Sequence, residues 1–204
     1  KEEARTAAAA LKAHILVSFD YGRIFGPKFL ALFPLGGINL HPSALPKYRG
    51  CTPVPAALLA GDSSLGVTVQ KLALKTDEGD ILASAAIPLT GTETTASLMD
   101  GDGTQSPVTD CGASLLDSVL SAIVQASDAE QAADENPAAD GGQGAVPAEA
   151  DGCVFTLPDA ESQQGEASYT PFISKQDGKI DWNCSAAHIE RKIRAYTPWP
   201  QCFT

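Results

Sequence analysis

Apolar and polar positions fall into short alternating blocks along the first part of the chain, then at helical spacing, and then lose any period. His14 to Phe19 is a compact apolar run of strand length, too short for a helix of its own. Glu2 to Lys12 before it is Ala-rich and predicts a helix. Pro27 to Phe33 suits a short helix with proline in its first turn. Pro34 and the Gly36-Gly37 pair break it, and Ile38 to His41 forms the next strand. Pro55 to Ala60 is helical up to Gly61, and Val67 to Leu72 and Ile81 to Leu89 run like strands. Strand, helix, strand, helix, strand is the order of an α/β sheet. Leu115, Leu116, Val119, Leu120, Ile123 and Val124 then recur at spacings of three and four, so 113–125 predicts an amphipathic helix on the core.

The period fails over 127–168, which is rich in Ala, Gly, Asp, Glu, Gln and Pro. So few large apolar residues cannot offset ordering entropy, and the segment is expected to be an acidic low-complexity insertion, disordered or loosely held. Only Cys153 to Leu157 has packing material there. Order is expected to resume at Tyr169, with a helix over 185–194 capped by Ser185. The chain thus divides into 1–126, 127–168 and 169–204.

Charge sharpens this division. The net charge is −11, yet no Lys or Arg occurs from Thr76 to Ser174, where 18 acids lie. All 14 cations therefore face only 7 acids (25 − 18) elsewhere, a local balance of +7. Two basic blocks flank an acidic middle, the footprint of a polyanionic partner on a surface away from that middle. With 44% hydrophobic residues the chain can build a sizeable core. The charged start is unlike a secretory signal, and no continuous apolar run approaches the ~20 residues of a membrane helix. A cytoplasmic monomer with no membrane or DNA partner is expected. Five cysteines without a C-x-x-C pair suggest neither a disulfide framework nor a zinc site, and reduced, mostly buried thiols are expected.

Chemistry concentrates between Gly37 and Asp80. Asn39 and His41 are two apart on a strand and share a face. Pro42, Ser43, Pro46, Lys47, Arg49 and Gly50 follow as a loop leaving the strand end, where open α/β sheets bind ligands. Lys75 to Asp80 is a second polar loop that brings back a carboxylate, from Asp77, Glu78 or Asp80. An amide donor, a titratable base and a carboxylate suit the making and breaking of a tetrahedral intermediate. His41 taken alone would be an ordinary hydrogen-bonded histidine closing a strand. His14 and His188 are expected to be structural, and Ser43 and Cys51 to be loop residues rather than nucleophiles.

The run of Asn-x-His, then Pro-Ser-x-x-Pro-x-x-x-Gly, then Asp before Gly-Asp resembles the formyltetrahydrofolate-dependent formyltransferases. Gly61-Asp62 and Gly66-Val67-Thr68 fit the same pattern. The segments Ile173 to Trp182 (ISKQDGKIDW) and Ile193 to Pro200 (IRAYTPWP) are most like family members that act on methionyl-tRNA. The resemblance implies a Rossmann-like domain with a partly parallel sheet. It singles out Asp77 from its acidic neighbours and makes Asn39, His41 and Asp77 the catalytic triad. It also implies 10-formyltetrahydrofolate as donor, held by Phe19, Asp20, Tyr21, Gly22, Ser43 and Pro46, with no metal.

Methionyl-tRNA is then the expected acceptor, with Lys47, Arg49, Arg191 and Arg194 as candidates to face RNA. Lys47 and Arg49 serve equally as a solvated loop, and for Arg191 and Arg194 a basic last turn complementing the helix dipole is the slightly favoured reading. Two rivals keep different parts of the pattern. One is the same triad on a small amine such as glycinamide ribonucleotide or an amino sugar nucleotide, and the other is a non-catalytic folate- or RNA-binding remnant. Against the family pattern the chain lacks the first strands at its N-terminus and stops where a smaller C-terminal domain would begin. Organelle matrices are the alternative location to a bacterial cytoplasm.

Overall fold

The computed structural model describes residues 2–101, 106–134, 148–150, 153–155 and 157–204. Helix α1 (Glu2–Ala10) leads to strand β1 (Leu16–Phe19), the one-turn helix α2 (Pro27–Leu30) and strand β2 (Gly37–His41). The short β3 (Arg49–Gly50) precedes α3 (Pro53–Ala60), which Gly61 ends in the left-handed region at φ 75°. Its N–H reaches the Ala57 and Leu58 carbonyls, a close that glycine makes without a Cβ penalty. Strands β4 (Ser64–Lys71) and β5 (Ile81–Pro88) follow, then α4 (Thr95–Met99) and the long α5 (Pro107–Asp134). The rest comprises β6 (Ala148–Ala150), β7 (Cys153–Phe155), β8 (Tyr169–Thr170), a 3₁₀ turn (Lys175–Gly178) and α6 (Ala186–Ala195). Ser185 caps α6 as expected, its hydroxyl accepting from the His188 N–H.

The main sheet runs β1-β2-β4-β5, with β1 parallel to β2 and the other pairs antiparallel. This is the partly parallel sheet anticipated. Because strand side chains alternate, its two faces differ in kind. On one face Ile38, Leu40, Val67 and Val69 are buried against Val119 and Ile123 of α5. On the other, register pairs Ser18 with Asn39, Asn39 with Gln70 and His41 with Thr68, a polar row across three strands. A second cluster joins Val54, Ala57 and Leu58 of α3 to Leu98, Val108, Ala195 and Tyr196.

Three expectations change here. Helix α5 is longer than the pattern over 113–125, and residues 107–126 are apolar enough by length and composition to cross a bilayer. Its Val119 and Ile123 are nevertheless buried against the sheet, as in a core helix, with Ser and Asp interspersed along it. The stretch read as loosely held falls partly outside the described residues, but its end packs. Glu161 forms a two-way backbone bridge with Ile81, and Ser168 donates to the Pro46 carbonyl and accepts from the Arg49 N–H. Just beyond the stretch, where order was expected, Arg49 and Gly50 pair in parallel with Tyr169 and Thr170. Backbone pairing orders 157–168 there, a source of stability that composition does not reveal. Lastly, Cys51 is exposed and Cys111, Cys184 and Cys202 are half-buried, so none of the four described thiols is fully buried.

Candidate active site

Asn39 and His41 project from the polar face of β2 toward a cavity of about 740 Å³ whose wall also includes Asp77 and Gln70. His41 is 6% exposed and Asp77 13% exposed at their side chains. His41 Nε2 lies 2.9 Å from the Tyr48 carbonyl. A carbonyl only accepts, so Nε2 carries a hydrogen and Nδ1 is the nitrogen left to exchange a proton. Nδ1 faces Asp77 Oδ2 across 3.7 Å, wider than a direct hydrogen bond. The three residues singled out by the resemblance are thus brought together, with His41 and Asp77 aligned but not touching. Asn39 is half-buried in the same wall, and among the described residues its amide has no hydrogen-bond partner.

The Asp77 carboxylate is held on both oxygens. The Gly50 N–H donates to Oδ2 at 2.8 Å, and Gln70 Nε2 donates to Oδ1 at 2.9 Å. Gln70 is 1% exposed and sits at the register shift between β4 and β5, where a bulge re-aims side chains. Asp77 and Tyr48 both adopt left-handed backbone, at φ 53° and 60°. For non-glycine residues that costs roughly 1–2 kcal/mol each, and such strain gathers at functional sites. Just beyond Asp77, Gly79 crosses β4 so closely that a Cβ would lie 1.7 Å from the Lys71 carbonyl oxygen.

The residues carried over for the donor divide. Phe19, Asp20, Tyr21 and Gly22 line the cavity. Tyr21 and Phe25, both in the cavity wall, stack on each other at 4.7 Å, and Phe25 stacks in turn on Phe29 at 5.5 Å. Ser43 and Pro46 are not in that wall. Ser43 is fully buried, donates its hydroxyl to the Lys47 carbonyl at 2.6 Å and through its own carbonyl accepts from Thr68. Both therefore shape the loop that carries Tyr48. Cys51 does line the cavity, but although the residue as a whole is exposed, desolvation at its thiol, with the Asp77 charge added, pushes it up and away from thiolate chemistry.

The candidate RNA-facing cations mostly have partners within the chain. Lys47 pairs with Asp62 at 2.8 Å and lies over the Tyr48 ring. Arg49 donates to Gln163 and Tyr169 and sits 3.5 Å from Glu78. Arg194 pairs with Glu190 and donates to the Glu93 carbonyl. Arg191 differs, with a buried Nε that has no hydrogen-bond partner among the described residues. Two of the site's neutral groups, Gln70 and Gln163, carry no motif, and only their register and contacts reveal them.

A family model described as Formyl transferase matches residues 1–105, and one described as Formyl transferase, C-terminal domain, matches 172–204. A methionyl-tRNA formyltransferase of Treponema denticola is 46% identical over 199 residues, 96% of this chain and 50% of that one. One from Treponema pallidum is 41% identical over 198 residues, 97% of this chain and 51% of that protein. The chain spans about half the length of these relatives. Among solved structures, HypX from Aquifex aeolicus in complex with tetrahydrofolic acid matches at 17% identity and a TM-score of 0.63, over 98% of this chain and 29% of that one. An N-formyltransferase from Helicobacter canadensis with folinic acid and dTDP-3-aminofucose matches at 19% and 0.59, over 88% and 53%. At those identities the structures establish a shared fold.

Proposed function

This chain belongs to the formyl transferase family, and on that premise we propose that it carries the chemistry that moves a formyl group from 10-formyltetrahydrofolate to the amino group of methionyl-tRNA. The observation that carries the reading is the convergence of Asn39, His41 and Asp77 on one cavity wall, in a chain 46% identical to an enzyme of that name. The product would be N-formylmethionyl-tRNA for translation initiation, made in the bacterial cytoplasm, a location that the bacterial origin of the relatives supports.

In this reading the methionyl nitrogen attacks the formyl carbon. A carbon–nitrogen bond forms and the carbonyl electrons move to oxygen. Asn39 donates its amide hydrogen to that oxyanion, and His41, once Nδ1 has taken the proton of the adduct, offsets the same charge as a cation. One well-placed donor is worth about 3–4 kcal/mol of the barrier. The ammonium proton of the adduct passes through the His41–Asp77 pair to the folate nitrogen. The bond to that nitrogen then breaks, releasing tetrahydrofolate and the formamide. We assign these steps to residues 1–126, with 169–204 completing the wall through Tyr169, Thr170, Pro171 and Phe172.

The test is formyl transfer by the whole protein, with methionyl-tRNA, an aminated sugar nucleotide and glycinamide ribonucleotide offered in parallel. Methionyl-tRNA should take the label. Labelling of a small amine alone would overturn the assigned acceptor. His41→Ala should abolish turnover while donor binding persists, and full activity in that variant would remove His41 from the mechanism.

A further inference from the structure

The segment between the two family matches, residues 106–171, not only lines the cavity through Tyr169, Thr170 and Pro171 but also grips both loops that carry the site. Ser168 grips the loop after His41. Its Oγ accepts from the Tyr48 N–H at 2.8 Å, its carbonyl accepts from the Arg49 N–H at 2.8 Å and its own N–H donates to the Pro46 carbonyl. Tyr48 is the residue whose carbonyl receives His41 Nε2. Gln163 grips the other loop. Its Nε2 donates to the Asp77 carbonyl at 2.9 Å and the Gly79 carbonyl at 2.7 Å, with Gln70 Oε1 at 3.4 Å.

The orientation of that amide is set from behind. Arg49 Nε and Nη2 both donate to Gln163 Oε1, at 3.1 and 2.7 Å. A guanidinium has no acceptor, so the oxygen must face Arg49 and the NH₂ must face the two carbonyls. Gln163 itself does not line the cavity.

We propose that Gln163 is a positioning residue for the transfer reaction: it fixes the left-handed turn at Asp77, and with it the gap between Asp77 and His41. This rests on the proposed formyl transfer. Two features make the turn depend on it: Asp77 holds a backbone conformation it does not favour, and its carbonyl has Gln163 as its hydrogen-bond partner among the described residues. Relaxation of the turn would rotate the carboxylate away from Nδ1, and misplacement by about 1 Å is enough to cost about 10²-fold in rate.

Gln163→Glu tests this. Glutamate keeps the size and the acceptor for Arg49, but sets a carboxylate oxygen against two carbonyls that it cannot satisfy. With methionyl-tRNA and saturating 10-formyltetrahydrofolate, kcat should fall about 10²-fold with the KM for the folate unchanged. Wild-type kcat, or a loss confined to KM, would overturn the role. Should Gln163→Glu not fold, Gln163→Met removes the donors without adding charge and is read the same way. Amide hydrogen exchange over 75–80 supplies a readout independent of turnover. It should quicken in the variant at that turn alone, and unchanged exchange would overturn the proposal even if the wild-type protein proved inactive on methionyl-tRNA. Wild-type inactivity with the quickened exchange would instead refute the assigned reaction and leave the brace standing.

Discussion

Asp77 offers three acceptor oxygens, and each receives a donor from a different element: Gly50 of β3, Gln70 of β4 and Gln163 of the 157–168 segment. A residue so constrained tolerates little change, even an isosteric one. In Asp77→Asn one side-chain oxygen becomes an NH₂ that faces either the Gly50 N–H or the Gln70 amide, donor against donor. The unsatisfied group should destabilise the fold by about 1–3 kcal/mol. Loss of the charge opposite His41 Nδ1 should lower kcat by about 10²–10⁴-fold, the usual share of positioned proton transfer. Single-turnover transfer and thermal unfolding of the same preparation separate the two effects. Activity retained despite the stability loss would reduce Asp77 to a scaffold residue.

At the scale of elements, legibility followed locality. The apolar stripe over 113–125, the strand endings at His41 and Phe19, the stop at Gly61 and the Ser185 cap were all readable because each signal lies within a few residues. The β3–β8 pair joins positions 120 residues apart through two residues a side, with no pattern of its own. Gln70 and Gln163 are neutral amides that no motif marks, and only strand register and the fold's closure place them. Helix α4 was missed because five residues cannot show a period, although Thr94 and Ser97 form its capping box.

The turn leading into α4 yields a pH prediction. Glu93 accepts from the Thr90 hydroxyl and from the Thr90, Gly91 and Thr92 N–H groups. Burial raises its carboxyl, but the hydrogen bonds outweigh this and it is lowered from 4.5 to about 2. A depressed folded-state value contributes stability that is fully present above the unfolded value and is lost as pH falls through about 2. The melting temperatures of wild type and Glu93→Gln should therefore differ by a constant amount at neutral pH and converge on acidification from about 4.5 toward 2. A gap that persists at pH 2 would assign the effect to something other than the carboxylate.

Across the whole molecule, one sheet divides stability from chemistry. Its apolar face, Ile38, Leu40, Val67 and Val69 against α5, excludes water, while its polar row carries Asn39, His41 and Gln70 toward the cavity. Alternation along β2 and β4 makes the two faces adjacent in sequence yet separable in effect. Ile123→Ala, on the α5 side, should cost about 2–5 kcal/mol through lost burial and the cavity left behind. Its kcat below the melting transition should stay at the wild-type value, because the sheet backbone lies between that cavity and Asp77. Gln70→Leu should strike turnover, beyond the stability cost of leaving Asp77 Oδ1 without its donor. A similar volume keeps the interior filled, but Asp77 Oδ1 loses its 2.9 Å donor and the carboxylate is freed to turn from His41. Urea unfolding and initial rates on both variants decide the matter: if Ile123→Ala loses activity in parallel with stability, or Gln70→Leu keeps full turnover, the two faces are not independent.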